Sequence, residues 1–382
     1  MQNLKFTSKL PQTGGSIFSE MTKLALEHEA INLAQGFPNF DCAEKLKSLL
    51  YKATKDHKNQ YAPMPGILPL RQAIANKIGK TYNKEINPST QVCVTAGATQ
   101  ALFTLFTTFV HSGDEVIIFE PAYDSYRPSI ELLGGKVVPF VLRPPSFAID
   151  WDAVESLVSS RTKMIVINNP HNPLGVCYTK EDLLRLQALC ETYDLICIGD
   201  EVYEHLVFDG KTHESILAYD QLAARSVVVY SFGKTFHITG WKMGYCVGAP
   251  RLLEEFKKVH QFNVFSVHTP SQYAIAEFLK EEEWRGLSSL FEAKRDLFVE
   301  NMKQSSLEII PSAGTYFCLG DYSSVYEGKD TEFARWLTRE KGVAVIPISV
   351  FVEEEYDYKL CRFCFAKTDA LLLEATHKLQ GL

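Results

Sequence analysis

The sequence has no excess of basic charge. Its 39 lysines and arginines are outnumbered by 46 aspartates and glutamates over 382 residues, a net charge of −7. That balance leaves no electrostatic footprint for nucleic acid. No apolar run is long enough for a membrane. The longest uncharged stretch, Ile86 to Val110, is interrupted by Pro88, Gly97 and Gln100 and reads as a strand followed by a helix. The opening residues, MQNLKFTSKLPQTGG, lack the apolar centre of a secretory signal. The nine cysteines are odd in number and scattered, so they form no disulfide framework. Most sit among apolar residues, as Cys197 and Cys246 do, and a reduced, cytoplasmic protein is expected. No HExxH occurs. Cys361 and Cys364, three apart in a strand, point to opposite faces without a second Cys/His cluster, so no metal is expected. Internal repeats, low-complexity tracts and long linkers are also missing.

What is present is alternation. From about residue 91, short β-rich runs alternate with helical patterns. Strands are expected at Gln91–Ala96, Glu115–Phe119, Lys136–Val141, Lys163–Ile167, Leu195–Gly199, Ser226–Tyr230 and Tyr245–Val247. Several are continuously apolar, as strands covered on both faces must be. Helices are expected at Ala98–Val110, Asp152–Ser159 and Lys180–Tyr193. This is the pattern of a doubly wound α/β domain. The ends differ. Residues 1–40 read as a loop-rich arm around one helix, Phe18–Glu29, and a long helical stretch runs from Gln272 to about Gln304. Strands at Glu308–Ile310, Thr315–Leu319, Val343–Pro347 and Leu360–Phe365 then alternate with helices at Asp330–Lys341 and Asp369–Leu379. The expected organisation is a large domain over residues 41–276 and a smaller α+β domain from residues 1–40 and 277–382.

Ligands of open α/β sheets sit beyond the carboxyl ends of the strands. Just past those ends stand Gly97-Ala98-Thr99, the segment Asn168 to Gly175 with Asn172, then Asp200 to Tyr203, and Ser231 to Thr235 with Lys234. Each has an ordinary reading alone. Asn172 between prolines suits a turn, Asp200 suits a helix N-cap, and Tyr203 suits the core. Lys234, beside glycine at the end of an apolar strand, has little reason to face solvent. Two motifs share pieces of this segment and fail. A P-loop needs glycine where Val228 stands. The S-x-x-K of serine acylases lacks its S-D-N and K-T-G companions. The combination suits pyridoxal 5′-phosphate, which needs a lysine for its aldehyde and a carboxylate for its pyridine nitrogen. A phenol and an amide suit its 3-oxygen, and a helix N-terminus with hydroxyls and a cation suits its phosphate.

The segments SFGKTFHITGWKMGY, NNPHNPLG and DEVYEH resemble the fold-type-I, class I/II aminotransferases. INLAQGFPNF, NQYAPMPG, VTAGATQALFTLF, GDEVIIFEPAYDSY, GTYF and LCRFCFAK match in the same order, so the likeness spans essentially the whole chain. It is closest to the branch of bacterial methionine aminotransferase and the kynurenine aminotransferase/cysteine-conjugate β-lyase enzymes. The resemblance implies a mostly parallel seven-stranded sheet between helices. It implies Lys234 as the lysine bonded to the cofactor aldehyde, Asp200 as the partner of the pyridine nitrogen, and Asn172 and Tyr203 on the 3-oxygen. Tyr123 would stack on the ring. Gly97, Ala98, Thr99, Ser231 and Lys242 would hold the phosphate, Lys242 standing where many relatives have arginine. Tyr61 resembles the tyrosine that reaches the neighbouring subunit's phosphate, which implies a homodimer with shared active sites. Arg362 would clamp the substrate carboxylate, with Gly36 and Asn172 beside it. Phe18 and Phe265 belong to the side-chain pocket, along with Ile17.

Phe18 stands where kynurenine enzymes tend to have tryptophan, and Ser266 where they have histidine. The implied activity is therefore transfer of the amino group of methionine, or another apolar or aromatic amino acid, to a 2-oxo acid. The alternatives are kynurenine aminotransferase or cysteine-S-conjugate β-lyase activity, and a non-catalytic aminotransferase-like regulator. A retained Lys234 and the absence of a basic helix-turn-helix before the first sheet strand weigh against the regulator.

Overall fold

Seven short apolar runs pair into one sheet in the computed structural model, which describes residues 7–10, 14–354 and 356–382. The parts of the expected amino-terminal arm at 1–6 and 11–13 lie outside the described residues. The strands are Val92–Thr95 (β1), Glu115–Glu120 (β2), Lys136–Val141 (β3), Thr162–Asn168 (β4), Ile196–Asp200 (β5), Ser226–Ser231 (β6) and Gly244–Gly248 (β7). They lie in the order β1-β7-β6-β5-β4-β2-β3. β7 runs antiparallel to β1 and β6, and the other pairs are parallel. Alternate residues feed two cores. Ile117, Ile165 and Val228 enter one, and Val116, Val166 and Val229 enter the other, so helices must cover both faces. The carboxyl ends of β1, β4, β5 and β6 share one edge with the start of β7. Gly244 permits that convergence, because a Cβ there would lie 2.7 Å from the Tyr230 carbonyl and 3.0 Å from Gly97 Cα.

A second sheet is antiparallel: Glu308–Ile310 (β8), Phe317–Asp321 (β9), Ile346–Pro347 (β10) and Leu360–Cys364 (β11), in the order β10-β11-β9-β8. The single strand expected at Val343–Pro347 is divided. Val343–Ala344 pairs in parallel with Ile31–Asn32, and only Ile346–Pro347 joins β11. The strand expected from Thr315 starts at Phe317, because Thr315 adopts φ +69° and its hydroxyl accepts from the Phe317 N–H. The helix expected at Phe18–Glu29 spans Ile17–Glu27, ending before Glu29 turns to φ +49°. That expected at Asp152–Ser159 spans Trp151–Ser156, capped by the Asp150 carboxylate. The long helical stretch expected from Gln272 to Gln304 is broken. Helices Thr269–Phe278 and Leu287–Met302 flank a kink at Glu282, which adopts φ +54° and directs its carboxylate to Lys80 and Arg285. Among the described residues no helix is long and apolar enough to cross a membrane.

One buried ion pair ties helix Leu68–Tyr82 to the segment after β5. Lys77 Nζ donates to Glu204 and to the Tyr245 hydroxyl, and the Tyr82 hydroxyl donates to the other Glu204 oxygen. Both charged side chains are almost fully enclosed. Lys77→Met should therefore cost about 3–5 kcal/mol by leaving a buried carboxylate without its cation. Lys77→Met combined with Glu204→Leu should recover most of that loss. A urea unfolding midpoint unchanged in the single variant would contradict this account.

Candidate active site

The shared sheet edge opens into a cavity of about 410 Å³. Strand ends supply much of its floor. β5 delivers Asp200 as its last residue, and β6 delivers Ser231, followed at once by the short helix Phe232–Thr235 that carries Lys234. β1 leads through Gly97, at φ +81°, into helix Ala98–Phe109. The other wall comes from the second sheet and the amino-terminal segment, through Arg362, Phe317, Phe18 and Gly36.

Asp200 is 4% exposed. Burial pushes its carboxyl up to about 6, against hydrogen bonds from the Tyr126 hydroxyl and the Val202 N–H. Asn168 ties this residue to the opposite wall. Its amide donates to the Asp200 carbonyl at 2.8 Å, and its oxygen accepts from the Asn172 N–H at 2.7 Å. The Asn172 oxygen in turn accepts from Arg362 Nη1 at 2.7 Å. Arg362 is 1% exposed, and its Nη2 donates to the Ala34 carbonyl at 3.0 Å. Its guanidinium lies 3.9 Å from the Phe317 ring centroid, with Phe18 and Phe351 further out. No carboxylate pairs with it among the described residues, and its Nε has no partner.

Lys234 Nζ donates to the Gly36 carbonyl at 3.0 Å and to the Tyr316 hydroxyl at 2.9 Å. Burial pulls the amine down to about 8. Tyr203 stands edge-on to Tyr316, with Lys234 Nζ 5.6 Å from the Tyr203 ring centroid. At the far end, helix Ala98–Phe109 has no side-chain cap, so its first N–H groups are unclaimed. Lys242 adjoins them. A Cβ on Gly97 would sit 3.7 Å from Lys242 Nζ. Tyr123 lines the same end, its hydroxyl 3.4 Å from the Thr99 hydroxyl.

Of the residues singled out from the sequence, Ile17, Tyr61 and Phe265 do not line the cavity. Tyr61 and Phe265 pack edge-to-face on each other, ring centroids 5.2 Å apart, and Tyr61 is 80% exposed. Three contributors were not singled out: Tyr126 on Asp200, Tyr316 on Lys234 and Phe317 on Arg362. All lie inside quoted motifs, but nothing in an aromatic's position along the chain says which polar group its ring or hydroxyl will meet. Among the described residues no group of three or more metal-ligating side chains gathers.

The donor set fits a phosphorylated, cationic heteroaromatic group. An uncapped helix N-terminus, Lys242 and the Thr99 and Ser231 hydroxyls suit a phosphate. A carboxylate on the floor suits a ring N–H⁺, and an amine held above suits an aldehyde carbon. A separate guanidinium without a counter-ion suits a second anion.

A family model described as aminotransferase class I and II matches residues 28–379. The chain is 46% identical over 377 residues to methionine aminotransferase from Escherichia coli, covering 98% of each protein. It is 35% identical to human kynurenine–oxoglutarate transaminase 1, covering 94% of each. Among solved structures, YbdL from Escherichia coli, described with a methionine aminotransferase function, superposes with a TM-score of 0.98 over 100% of both chains at 46% identity.

The lowered pKa of Lys234 gives a direct test of the cavity's electrostatics. In the cofactor-free chain, Lys234 binds fewer protons when folded than when unfolded between about pH 8 and its ordinary 10.5. Stability contributed by this group therefore rises with pH across that window. Urea unfolding of wild type and Lys234→Met should diverge by roughly 2 kcal/mol between pH 8 and 10. Parallel pH profiles for the two proteins would contradict the burial of this amine.

Proposed function

The chain belongs to the class I and II aminotransferases, of fold type I, and uses pyridoxal 5′-phosphate; on that premise we propose that its preferred amino donor is methionine. The observation that carries this reading is the set of cations among the described residues that line the cavity. They are Lys234, Lys242 and Arg362. In our reading Lys234 serves the cofactor aldehyde, Lys242 the phosphate and Arg362 the α-carboxylate, so none of these described cations remains for an acidic side chain. The remaining walls include Phe18, Phe37, Phe317, Leu102 and Val202. An unbranched thioether suits such walls, because it is flexible and makes favourable sulfur–aromatic contacts. The 46% identity to the Escherichia coli methionine enzyme supports the same choice.

When bound, the cofactor supplies an aldehyde that takes up the amino group and a ring that accepts the electron pair left at Cα. The chain's residues have distinct tasks. Asp200, held by Tyr126, keeps the ring nitrogen protonated. Asn172 and Tyr203 would bond the ring's 3-oxygen, and Tyr123 would stack on the ring. The uncapped helix N-terminus at Gly97-Ala98-Thr99, with Ser231 and Lys242, anchors the phosphate. Arg362 fixes the carboxylate with two parallel N–H bonds and so presents the Cα hydrogen to Lys234. Lys234, buried and with a pKa near 8, moves that proton as a neutral amine.

We read the molecule as a homodimer in which Tyr61 and Phe265, exposed on one chain, complete the partner's site. The nine cysteines are all unpaired, in keeping with a reducing cytoplasm. A panel of amino donors against a common 2-oxo acid tests the substrate assignment. The values of kcat/KM should fall from methionine through phenylalanine, tyrosine and leucine to aspartate. Neighbours in that series should differ by only about 1–3 kcal/mol, since apolar pockets discriminate methylenes weakly. Aspartate or alanine ahead of methionine would reject the assignment.

A further inference from the structure

Four consecutive backbone carbonyls, Ala34 to Phe37, each accept a hydrogen bond from a side chain around the site. Arg362 takes the first. Lys234 Nζ donates to Gly36 O at 3.0 Å, and the Tyr316 hydroxyl donates to the same oxygen. Gln35 O and Phe37 O, on either side of Gly36, share one donor: Lys367 Nζ reaches them at 3.2 and 2.8 Å. Lys367 follows closely after β11, which carries Arg362, and is only 3% exposed. It does not line the cavity. Burying an ammonium is costly unless its protons are used, and here two of the three are used on the carbonyls flanking one glycine. The same segment is held by its N–H groups. Asn32 Oδ1 accepts from Ala34 and Gln35 at 3.0 and 3.1 Å. The Gly36 N–H, by contrast, meets no acceptor among the described residues. Gly36 is also pressed against the ring that faces Arg362, since a Cβ on it would lie 2.8 Å from Phe317 Cζ.

We propose that Lys367 is a positioning residue for transamination: by bonding the carbonyls on both sides of Gly36, it holds the Gly36 N–H next to Arg362 to receive the substrate carboxylate. Lys367 touches neither substrate nor cofactor. Its effect passes through two peptide units. The inference rests on the carboxylate site assigned above.

The test uses holoenzyme and 3-phenylpropionate, a monocarboxylate without an amino group, titrated by the cofactor's absorbance. In Lys367→Met its Kd should rise about tenfold, as expected when a hydrogen-bond donor to the anion is misplaced. KM for amino acid and oxo acid should rise in parallel while kcat stays within about threefold. Amide hydrogen exchange in residues 34–37 should quicken with the rest of the chain unchanged. Lys367→Arg, which retains donors for both carbonyls, should bind 3-phenylpropionate within about threefold of wild type. An unchanged Kd in Lys367→Met overturns the proposal. So does a weakened Kd with unchanged exchange, because the lysine would then act through its charge alone. If Lys367→Met does not fold, Lys367→Gln and Lys367→Arg carry the same comparison. In parallel, Arg362→Lys must weaken 3-phenylpropionate. Its failure to do so would instead reject the carboxylate site on which the inference rests.

Discussion

A guanidinium enclosed in protein, with no carboxylate in ion-pair contact among the described residues, is the feature around which the site is arranged. Removing such a charge from water costs several kcal/mol, and neutral acceptors repay only part of it. Arg362 receives the Asn172 amide oxygen, the Ala34 carbonyl and the face of Phe317. These orient the fork without neutralising it. The unmet charge is what a substrate carboxylate would satisfy, and the fork geometry suits two parallel bonds to it.

The rest of the rim follows from that placement. Asn168 links the Asp200 carbonyl to Asn172, and Asn172 links to Arg362, so a single amide relay holds the guanidinium in register with the carboxylate on the floor. Burial acts on both titratable groups in opposite chemical senses. It raises Asp200 to about 6 and lowers Lys234 to about 8. A cationic ring nitrogen would favour the charged carboxylate, and the neutral form of the lysine is the one able to accept a proton. The low dielectric that makes Arg362 costly is therefore the same condition that tunes its neighbours.

Much of this was legible in the sequence, because parallel strands place their last residues on one edge. Continuous apolar runs located the strands, and the residues just beyond them, Asp200, Ser231 and Lys234 among them, fell together. What was not legible depends on contacts across long separations. Tyr126 meets Asp200 and Tyr316 meets Lys234 through hydroxyls whose partners lie 74 and 82 residues away. Lys367 lies inside the quoted segment LCRFCFAK, but nothing in its position along the chain says that the carbonyls of Gln35 and Phe37 will meet it. The helical pattern from Gln272 to Gln304 did not reveal the break at Glu282, whose backbone is left-handed and whose carboxylate meets Lys80 and Arg285. Tyr61 and Phe265 carry the right chemistry, yet within one chain they pack on each other away from the cavity.

The central claim is that Arg362 is a charge awaiting a carboxylate, and one comparison tests it most directly. Methioninol differs from methionine in replacing the carboxylate with a hydroxymethyl group. Binding of each to the holoenzyme, followed by the cofactor's absorbance, should favour methionine by about 100-fold or more, and Arg362→Met should erase most of that preference. Methioninol binding within about threefold of methionine, or a preference that survives Arg362→Met, would contradict the account.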